Sequence, residues 1–338
     1  MPVPFPLKDI AFQAGLSLAT VDRVVHGRPG VRRTTRARVE AAIAELTRQY
    51  GEAGLAGRRL SIDVVMEAPR RFTDAVRAAF EAELPGMRPA SFSARFHLAE
   101  TMREGELAAI LSAIGKRGSH GLLLKAPSTR ATADLARGLT EKGVPVATYV
   151  TDIAADCRLA YIGMDNWVAG ATAAYFLGQM LPPGPTGVLV TLSSASFAGE
   201  EEREAGFRGV LRERFPHLKV VTVSEGHGID RSTRERVLQA LAAEPDLSAV
   251  YSIGGANQAI LAAFVEEKRP ISVFVAHDLD EANSRLLAAG KLSFVIHHDF
   301  RQDARNACQI FLHHHRMLPE DFTIAPSRIS IVTPYDPL

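Results

Sequence analysis

The sequence predicts an α/β chain: an N-terminal all-α domain followed by a large, two-lobed parallel α/β domain. Three observations predict this fold class. Residues 1–60 hold three short amphipathic helical patterns. From Ser61 onward, apolar strand-like segments alternate with amphipathic helices in two successive series, as in parallel sheets covered by helices. The length of 338 residues fits two or three domains. We expect domains at 1–50 and 61–338, joined by a hinge or linker at 51–60.

Composition restricts the class of protein. Hydrophobic residues make up 46% of the chain, enough for a large core and too many for a disordered protein. No apolar run approaches the roughly 18 residues of a membrane span, and the start "MPVPFPLKDI" lacks the pattern of a secretory signal. Two cysteines, Cys157 and Cys308, do not make a disulfide framework. We expect a soluble cytoplasmic protein with no membrane partner.

The net charge of +1 conceals an asymmetry. Residues 1–60 contain ten Lys and Arg against five Asp and Glu, whereas the rest contains 29 against 33. A basic amino-terminal segment on an acidic body indicates a polyanionic partner at one end of the chain. A solvated charged helix gives the same count, so that alternative stays open.

The first two helical patterns are separated by only the turn "AGLS". In "LKDIAFQAG" the apolar residues recur at helical spacing and Gly15 predicts a stop. Ser17 is placed to cap the second helix, from about Leu18 to His26. A third helix is predicted from about Thr34 to Arg48. The short turn is typical of a helix-turn-helix, whose second helix enters the DNA major groove.

If the three valines of the second helix face the core, its other face is left for DNA. That face carries Leu18, Ala19, Asp22, Arg23 and His26. An arginine can form two hydrogen bonds with guanine, worth about 1–3 kcal/mol of discrimination. The candidates for phosphate contacts are Arg28, Arg32, Arg33, Arg36 and Arg38. The alternative is a solvated bundle, which the unpaired carboxylate of Asp22 would favour because phosphates repel it.

The segment "LKDIAFQAGLSLATVDRVVHGRPGVRRTTRARVEAAIAEL" resembles the DNA-binding domain of the lactose-repressor (LacI/GalR) family of transcription regulators. The residues that match the family pattern in order are Asp9, Ala11, Ala14, Gly15, Ser17, Thr20, Val21, Arg23 and Val24. The resemblance implies base contacts for Leu18, Ala19 and Arg23. Asp22 and His26 replace the usual Ser and Asn, which implies a different operator preference.

The family continues with a hinge helix whose Leu enters the minor groove. Here "TRQYGEAGLAGRRLS" is shorter, and Leu55 is the candidate for that role. The surrounding glycines are poor helix formers, so an ordinary flexible linker is the alternative. The complete predicted DNA-binding set is Ser17, Leu18, Ala19, Thr20, Asp22, Arg23, His26, Arg32, Arg33, Arg36 and Leu55.

The strand ends of the α/β part carry carboxylates, amides, His, Arg and aromatic rings. In open parallel sheets ligands bind beyond the carboxyl ends of the strands, and this mixture suits a polyhydroxylated ligand. Helix capping is the alternative role for residues such as Asp278 and Ser196.

The segments "GVPVAT", "YIGMDNWVAG", "EREAGF" and "FVAHD" resemble, in order, the type I periplasmic sugar-binding fold that serves the lactose-repressor family as effector domain. The resemblance places Arg203, Asn257 and Asp278 on sugar hydroxyls and His298 where the family commonly has Gln. Val150-Thr151 replaces the usual Asp-Arg. The complete predicted ligand-binding set is Phe72, Thr151, Asp152, Phe197, Arg203, Asn257, Asp278 and His298.

No pattern indicates catalysis, a metal or a cofactor. The tract His313-His314-His315 is expected to be exposed at a helix end, and the two histidines of "HHD" would point to opposite faces of a strand. No G-x-S-x-G motif accompanies the serines near Ser194.

We therefore expect a non-enzymatic, ligand-responsive DNA-binding regulator, a repressor controlled by a sugar or sugar-like effector. Its expected partners are double-stranded operator DNA, the small effector and a second copy in a homodimer, with a tetramer left open. Two alternatives compete with it: a periplasmic-type solute-binding protein without DNA function, and an α/β enzyme with an accessory helical bundle.

Overall fold

The structure is a computed structural model that describes residues 5–55, 57–103, 105–325 and 327–336; within the helix that ends at residue 55, the side chains of 47–55 are not described. The chain divides into two compact units. One comprises the residues up to Arg59 together with Arg88–Ser91, and the other comprises the remainder. We call them the head and the body.

The head is a bundle of three helices, as predicted: α1 (Leu7–Ala14), α2 (Leu18–Val25) and α3 (Arg33–Leu55). Gly15 ends α1 in the left-handed conformation, with φ of 61°. Ser17 caps α2, its Oγ accepting the Thr20 amide at 3.3 Å. The bundle closes over a small apolar core, formed by Ile10, Ala11, Ala14, Val21, Val39, Ala42 and Leu46.

Helix α3 is longer than predicted. Its expected end was near Arg48, but the helix continues through Gly51 and Gly54 to Leu55. Each glycine costs only about 1 kcal/mol relative to alanine, whereas extending an existing helix adds one hydrogen bond for each residue fixed. With no proline or cap before Leu55, nothing stops the propagation. The prediction ended α3 too early because it gave the two glycines too much weight.

The body contains two sheets, one in each lobe. Lobe 1 has the strand order β2-β1-β3-β4-β5, and lobe 2 has the order β11-β10-β9-β8-β6-β7. The pairs β1–β3, β3–β4 and β4–β5 are parallel in lobe 1, and only β11 is antiparallel among the described pairs of lobe 2. The strands are β1 (Arg59–Glu67), β2 (Ser91–Ala99), β3 (Gly121–Lys125), β4 (Val146–Tyr149), β5 (Ala160–Ile162), β6 (Thr186–Thr191), β7 (Leu218–Val223), β8 (Leu247–Ser252), β9 (Val273–His277), β10 (Phe294–His297) and β11 (Ser330–Val332).

Helices cover both sheets of the body. Short 3-10 helices lie at Leu84–Gly86 and Ala155–Cys157. The α-helices are α4 (Arg70–Glu83), α5 (Glu106–Arg117), α6 (Arg130–Glu141), α7 (Asn166–Met180), α8 (Ala198–Arg214), α9 (Asp230–Ala243), α10 (Asn257–Glu266), α11 (Glu281–Ala288) and α12 (Phe300–His314).

The chain passes between the lobes three times. After β5 it enters lobe 2, where α7 packs on α8; after β10 it returns to lobe 1, where α12 packs on α4; β11 then pairs with β10 in lobe 2. The two predicted series of segments match the two lobes, but β5, α7 and β11 were not predicted. Helix α7, "NWVAGATAAYFLGQM", is apolar on every side and has no amphipathic period, and β5 and β11 have only three residues each.

Helices α7 and α8 approach each other closely at two glycines. A Cβ on Gly170 would lie 1.8 Å from the Arg203 carbonyl oxygen, and one on Gly206 would lie 2.1 Å from the Trp167 carbonyl oxygen. Both neighbours are backbone atoms of packed helices, which cannot move aside independently. This contact fixes α8, and with it Arg203, against the start of α7.

We therefore predict that Gly206→Ala destabilises the body by about 1–3 kcal/mol through overpacking. The matched control is Gly138→Ala, on α6, where an added Cβ has nothing within 4 Å; it should be neutral or stabilise by about 0.4–1 kcal/mol. Urea unfolding of both variants measures the difference. Equal stability of the two variants would show that the α7–α8 approach is not tight.

Candidate functional site

The outer face of α2 is free for a partner, as predicted. Leu18, Ala19 and Arg23 are exposed, with Leu18 at 53% exposure. Val21 is fully buried, while Val24 and Val25 are only half-buried. A helix with one buried apolar stripe and an opposite face of apolar and cationic side chains has the surface that a base-contacting helix needs.

Asp22, which could have opposed an anionic partner, is paired within the head. Its carboxylate lies 2.9 Å from the Arg28 guanidinium and 2.9 Å from His26 Nδ1. The pair with Arg28 offsets the negative charge, so Asp22 does not present an isolated carboxylate to phosphates. The side chains of Asp22, His26 and Arg28 therefore form one cluster at the end of α2.

The predicted phosphate-contacting arginines fall into two groups. Arg32, Arg33 and Arg36 are exposed, and within the described part of the chain their guanidinium groups have no ion-pair or hydrogen-bond partner. Arg38, by contrast, donates to the Ala14 carbonyl oxygen at 2.8 Å and so holds the end of α1. The side chain of Leu55 lies outside the described residues.

A cleft lies between the two lobes of the body, at the carboxyl ends of the strands. In this closed arrangement its free volume is only about 30 Å³, below the roughly 300–1,000 Å³ of ligand pockets. Its lining comprises Ala68, Pro69, Arg71, Phe72, Lys125, Val150, Thr151, Phe197, Gly199, Glu200, Arg203, Ile253, Gly254 and Asp278. Five of the eight predicted ligand-binding residues thus line one cavity: Phe72, Thr151, Phe197, Arg203 and Asp278. Asp152, Asn257 and His298 are not in this lining.

Five buried polar atoms in this part of the body have no hydrogen-bond partner among the described residues. They are Arg203 Nη2, Asn257 Oδ1, His277 Nδ1, Asp278 Oδ1 and His298 Nε2. Four of these five side chains belong to the predicted set. A buried polar atom left without a partner costs about 1–3 kcal/mol, so these atoms are candidates for hydrogen bonds with a polar ligand.

The side chains that carry these atoms are fixed by their other polar atoms. Arg203 Nε donates to Asn166 Oδ1 at 2.9 Å, and Asn257 Nδ2 donates to Asn283 Oδ1 at 2.6 Å. Asn257 is therefore oriented with its oxygen unpaired, as a hydrogen-bond acceptor. The arginine is held with one terminal nitrogen unpaired, as a donor.

Asp278 does not cap a helix. The cap of α11 is Asp280, whose Oδ1 accepts the Asn283 amide at 2.8 Å. Asp278 has a φ of 66°, and its Oδ1 lies 3.7 Å from His298 Nε2. The capping alternative for Asp278 is therefore wrong, because the next acidic residue performs that task.

His298 lies where the chain returns to lobe 1, and it is completely buried. Its Nδ1 lies 2.5 Å from Asp303 Oδ2. Because a carboxylate only accepts, Nδ1 carries the proton and Nε2 is directed towards Asp278. Asp303 also accepts from Tyr149 of lobe 1 at 3.4 Å and from Ser327, on the segment leading to β11. The Asp303 carboxylate thus connects His298 and Ser327, which lie near two of the three crossings between the lobes.

His277 was missed by the sequence analysis because it looked like the last residue of a buried strand. Its Nε2 lies 2.7 Å from the Tyr251 hydroxyl, which leaves Nδ1 without a partner. Burial, together with Arg203 and His298, lowers the pKa of His277 well below its usual value, so the ring is neutral.

The aromatic and lobe-spanning contacts enclose the cleft. Phe72 lies edge-on to Phe300, with ring centroids 5.5 Å apart. Thr151 Oγ1 of lobe 1 accepts the Gly199 amide of lobe 2 at 3.2 Å. Arg71 on α4 pairs with Asp280 of lobe 2 at 2.9 Å. The lobes are therefore closed on each other around the cavity.

Asp152 is not brought to this cavity. Its carboxylate accepts from Arg158 Nε and Nη2, each at 2.6 Å, and from Thr148 Oγ1 at 2.6 Å. These bonds tie down the loop after β4. Three charged residues of the lining lay outside the predicted set: Arg71, Lys125 and Glu200. The lysine is the last residue of β3 and looked like an ordinary strand end.

Other polar and sulfur-bearing groups have simple roles. Cys308 is fully buried in α12, and burial raises its pKa far above the usual range. His313, His314 and His315 lie at the end of α12, as expected. Within residues 5–336, wherever described, no three His, Cys, Asp or Glu side chains are grouped to hold a metal ion, and no helix combines the length and apolarity of a membrane span.

Solved structures share the fold of the body at low sequence identity. GanP, a glucose-galactose binding protein from Geobacillus stearothermophilus, is 18% identical with a TM-score of 0.72, over 82% of this chain and 99% of that one. AraP, an arabinose binding protein from the same organism, is 20% identical with a TM-score of 0.64, over 82% and 97%. A carbohydrate transporter solute binding protein from Agrobacterium radiobacter, in complex with D-arabinose, is 16% identical with a TM-score of 0.71, over 82% and 95%. No curated protein matches the sequence.

Two family models match the sequence. Residues 6–47 match the bacterial regulatory proteins of the lacI family, and residues 71–315 match the periplasmic binding protein domain. Both are families of regulators and binding proteins rather than enzymes. The chain therefore belongs to the lacI family of bacterial regulatory proteins, with a periplasmic binding protein domain as its body.

Proposed function

We propose that this protein is a transcriptional repressor that binds a specific operator as a homodimer and is controlled by a sugar-like effector in the cleft. The observation that carries the proposal is the presence, on one chain, of a helix-turn-helix with an exposed Arg23 and a closed cleft lined by Arg203 and Asp278, each with a buried polar atom that has no partner among the described residues. Its site of action would be the cytoplasm, where operator DNA is found.

The DNA part of the proposal depends on two kinds of arginine. Arg23 lies on the exposed face of α2, beside Leu18 and Ala19, where it can contact base edges. Arg32, Arg33 and Arg36 are exposed at the start of α3 and can contact phosphates, which give affinity without sequence preference. The two kinds of contact respond differently to mutation and salt.

We predict that Arg23→Ala weakens binding to the operator by about 1–3 kcal/mol, with a much smaller effect on unrelated DNA. Arg36→Ala is the matched comparison, because it should weaken both DNAs alike and lower the slope of log K against log salt by about 1. Fluorescence anisotropy with the upstream region of the protein's own gene and a shuffled duplex measures both. Equal losses on the two duplexes for Arg23→Ala would contradict its assignment as a base contact.

The effector part depends on the chemistry of the cleft. Asp278 Oδ1 and Asn257 Oδ1 accept hydrogen bonds, whereas Arg203 Nη2 donates. A polyol satisfies both senses, because each hydroxyl donates and accepts. The sugar ligands named for the structurally similar proteins are compatible with this chemistry. Phe72 and Phe197 supply the apolar surface on which a sugar ring packs.

We predict that Asp278→Asn weakens effector binding by about 10- to 100-fold, the loss of a charged hydrogen bond, and leaves the melting temperature of the free protein unchanged. Asp280→Ala is the control, since it removes the α11 cap and the pair with Arg71 and should lower the melting temperature. Thermal shift with hexoses, pentoses and their acids identifies the ligand and measures both effects. Undiminished binding by Asp278→Asn would place the ligand elsewhere.

Dimerisation and regulation complete the proposal. A helix-turn-helix that binds a two-fold operator requires a two-fold dimer. An effector that favours closed lobes would change operator affinity through the dimer, a coupling typically of about 1–3 kcal/mol. The alternative is a solute-binding protein that serves a transporter. The lacI-family head favours the regulator, because solute transport does not require a DNA-binding domain.

A further inference from the structure

Two cations that line the cleft, Lys125 and Arg203, have no ion-pair partner among the described residues. Lys125, the last residue of β3, is 7% exposed, and its Nζ donates to the Glu67 carbonyl oxygen at 3.2 Å. An ammonium group has three donors, and within the described residues this is the single hydrogen bond and there is no ion pair. The remaining contacts are aromatic, with Nζ 4.2 Å from the centre of the Phe197 ring and 5.7 Å from that of Phe72.

The charges on the two walls of the cleft are distributed unequally. The lobe 1 residues of the lining include two cations, Arg71 and Lys125, and no carboxylate. Arg71 is already paired with Asp280 at 2.9 Å. The carboxylates of the lining, Glu200 and Asp278, both belong to lobe 2. Lys125 is therefore the cation of the lobe 1 wall that is left without an ion-pair partner.

Neither lobe 2 carboxylate satisfies Lys125. Glu200 accepts from the Ser193 amide at 2.6 Å and from the Ser193 hydroxyl at 2.5 Å, and no oxygen of either carboxylate lies within ion-pair distance of Nζ in the described residues. A buried ammonium without such a partner is costly, because desolvation is not offset by a close opposite charge.

From this arrangement, and building on the sugar-binding role proposed above, we infer that the effector is a sugar acid whose carboxylate binds Lys125 Nζ while its hydroxyls bind Asp278 and Asn257. A carboxylate supplies one negative charge and two acceptor oxygens, which matches one unpaired ammonium with free donors. The two rings beside Nζ hold the ammonium on the cavity side, since a cation is attracted to an aromatic face.

Protonation of Lys125 gives the inference a second consequence. Burial is the largest influence on the pKa of Lys125 and lowers it. The charge of Arg203 lowers it further, whereas Glu200, Asp278 and Glu67 raise it. A bound carboxylate favours the ammonium form, so the affinity for a sugar acid should fall as Lys125 loses its proton with rising pH.

The test compares matched ligands on the full-length protein by calorimetry. D-glucuronate and D-galacturonate are compared with D-glucose and D-galactose, and D-gluconate and D-glucose 6-phosphate are included. We expect at least one acid to bind the wild type about 10- to 100-fold more tightly than its neutral counterpart. Lys125→Met should remove that preference, and Lys291→Met, at an exposed position, should keep it.

The outcomes separate this inference from the proposed function. Neutral sugars binding as tightly as the acids, or binding of the 6-phosphate alone, would overturn the sugar-acid assignment and leave a sugar-responsive regulator. Failure of every sugar and acid to bind the wild type would overturn both. If Lys125→Met does not fold, the pH profile of the wild type decides, since an affinity for the preferred acid that does not fall with rising pH contradicts the role of Lys125.

Discussion

The constraint on which the body depends is the cost of closing two lobes over polar atoms that have no partner. Arg203, Asn257, His277, Asp278 and His298 each contribute one such buried atom. In a closed, partly apolar cavity each unmade bond costs about 1–3 kcal/mol. Contacts between the lobes, such as Arg71–Asp280 and Thr151–Gly199, favour closure. A ligand that forms hydrogen bonds with these atoms stabilises the closed state beyond what the contacts between the lobes provide.

The connections between the lobes link that cavity to the backbone that must move. His298 Nε2 lies 3.7 Å from Oδ1 of Asp278, which lines the cleft, and His298 Nδ1 is bonded to Asp303 of α12. The same carboxylate accepts from Tyr149 and Ser327, which belong to lobe 1 and to the last crossing. A ligand bound to Asp278, next to His298, would therefore bias a hydrogen-bonded group at the crossings. This is the physical route by which occupancy of the cleft can favour one arrangement of the lobes.

Local chemistry explains which parts of the structure could be predicted from the sequence. The Ser17 cap, the Gly15 stop and the burial of Val21 follow from interactions within a few residues, and the structure has all three. The cleft was predictable because carboxyl strand ends must meet there. Helix α7 was missed because it is apolar on every side, so its periodicity carried no signal.

The resemblance to the lactose-repressor family, rather than residue spacing, indicated Arg203, Asn257, Asp278 and His298 as ligand contacts. Each of them has a buried polar atom without a partner among the described residues. Asp152 has the same chemistry, but Arg158, six residues later, satisfies its carboxylate. Ion pairs that depend on the conformation of a loop cannot be predicted from the spacing of residues in the sequence. For the same reason nothing in the sequence indicated that Lys125 would be buried without an anion.

The most direct test of the account is thermodynamic linkage between the cleft and the head. Operator affinity of the full-length protein is measured with and without a saturating effector, and effector affinity is measured with and without operator. If closure of the cleft governs the affinity of α2 for the operator, effector must change operator affinity by the same factor as operator changes effector affinity. We expect this factor to be roughly 5- to 150-fold. Operator affinity that does not change when effector is bound would contradict the account.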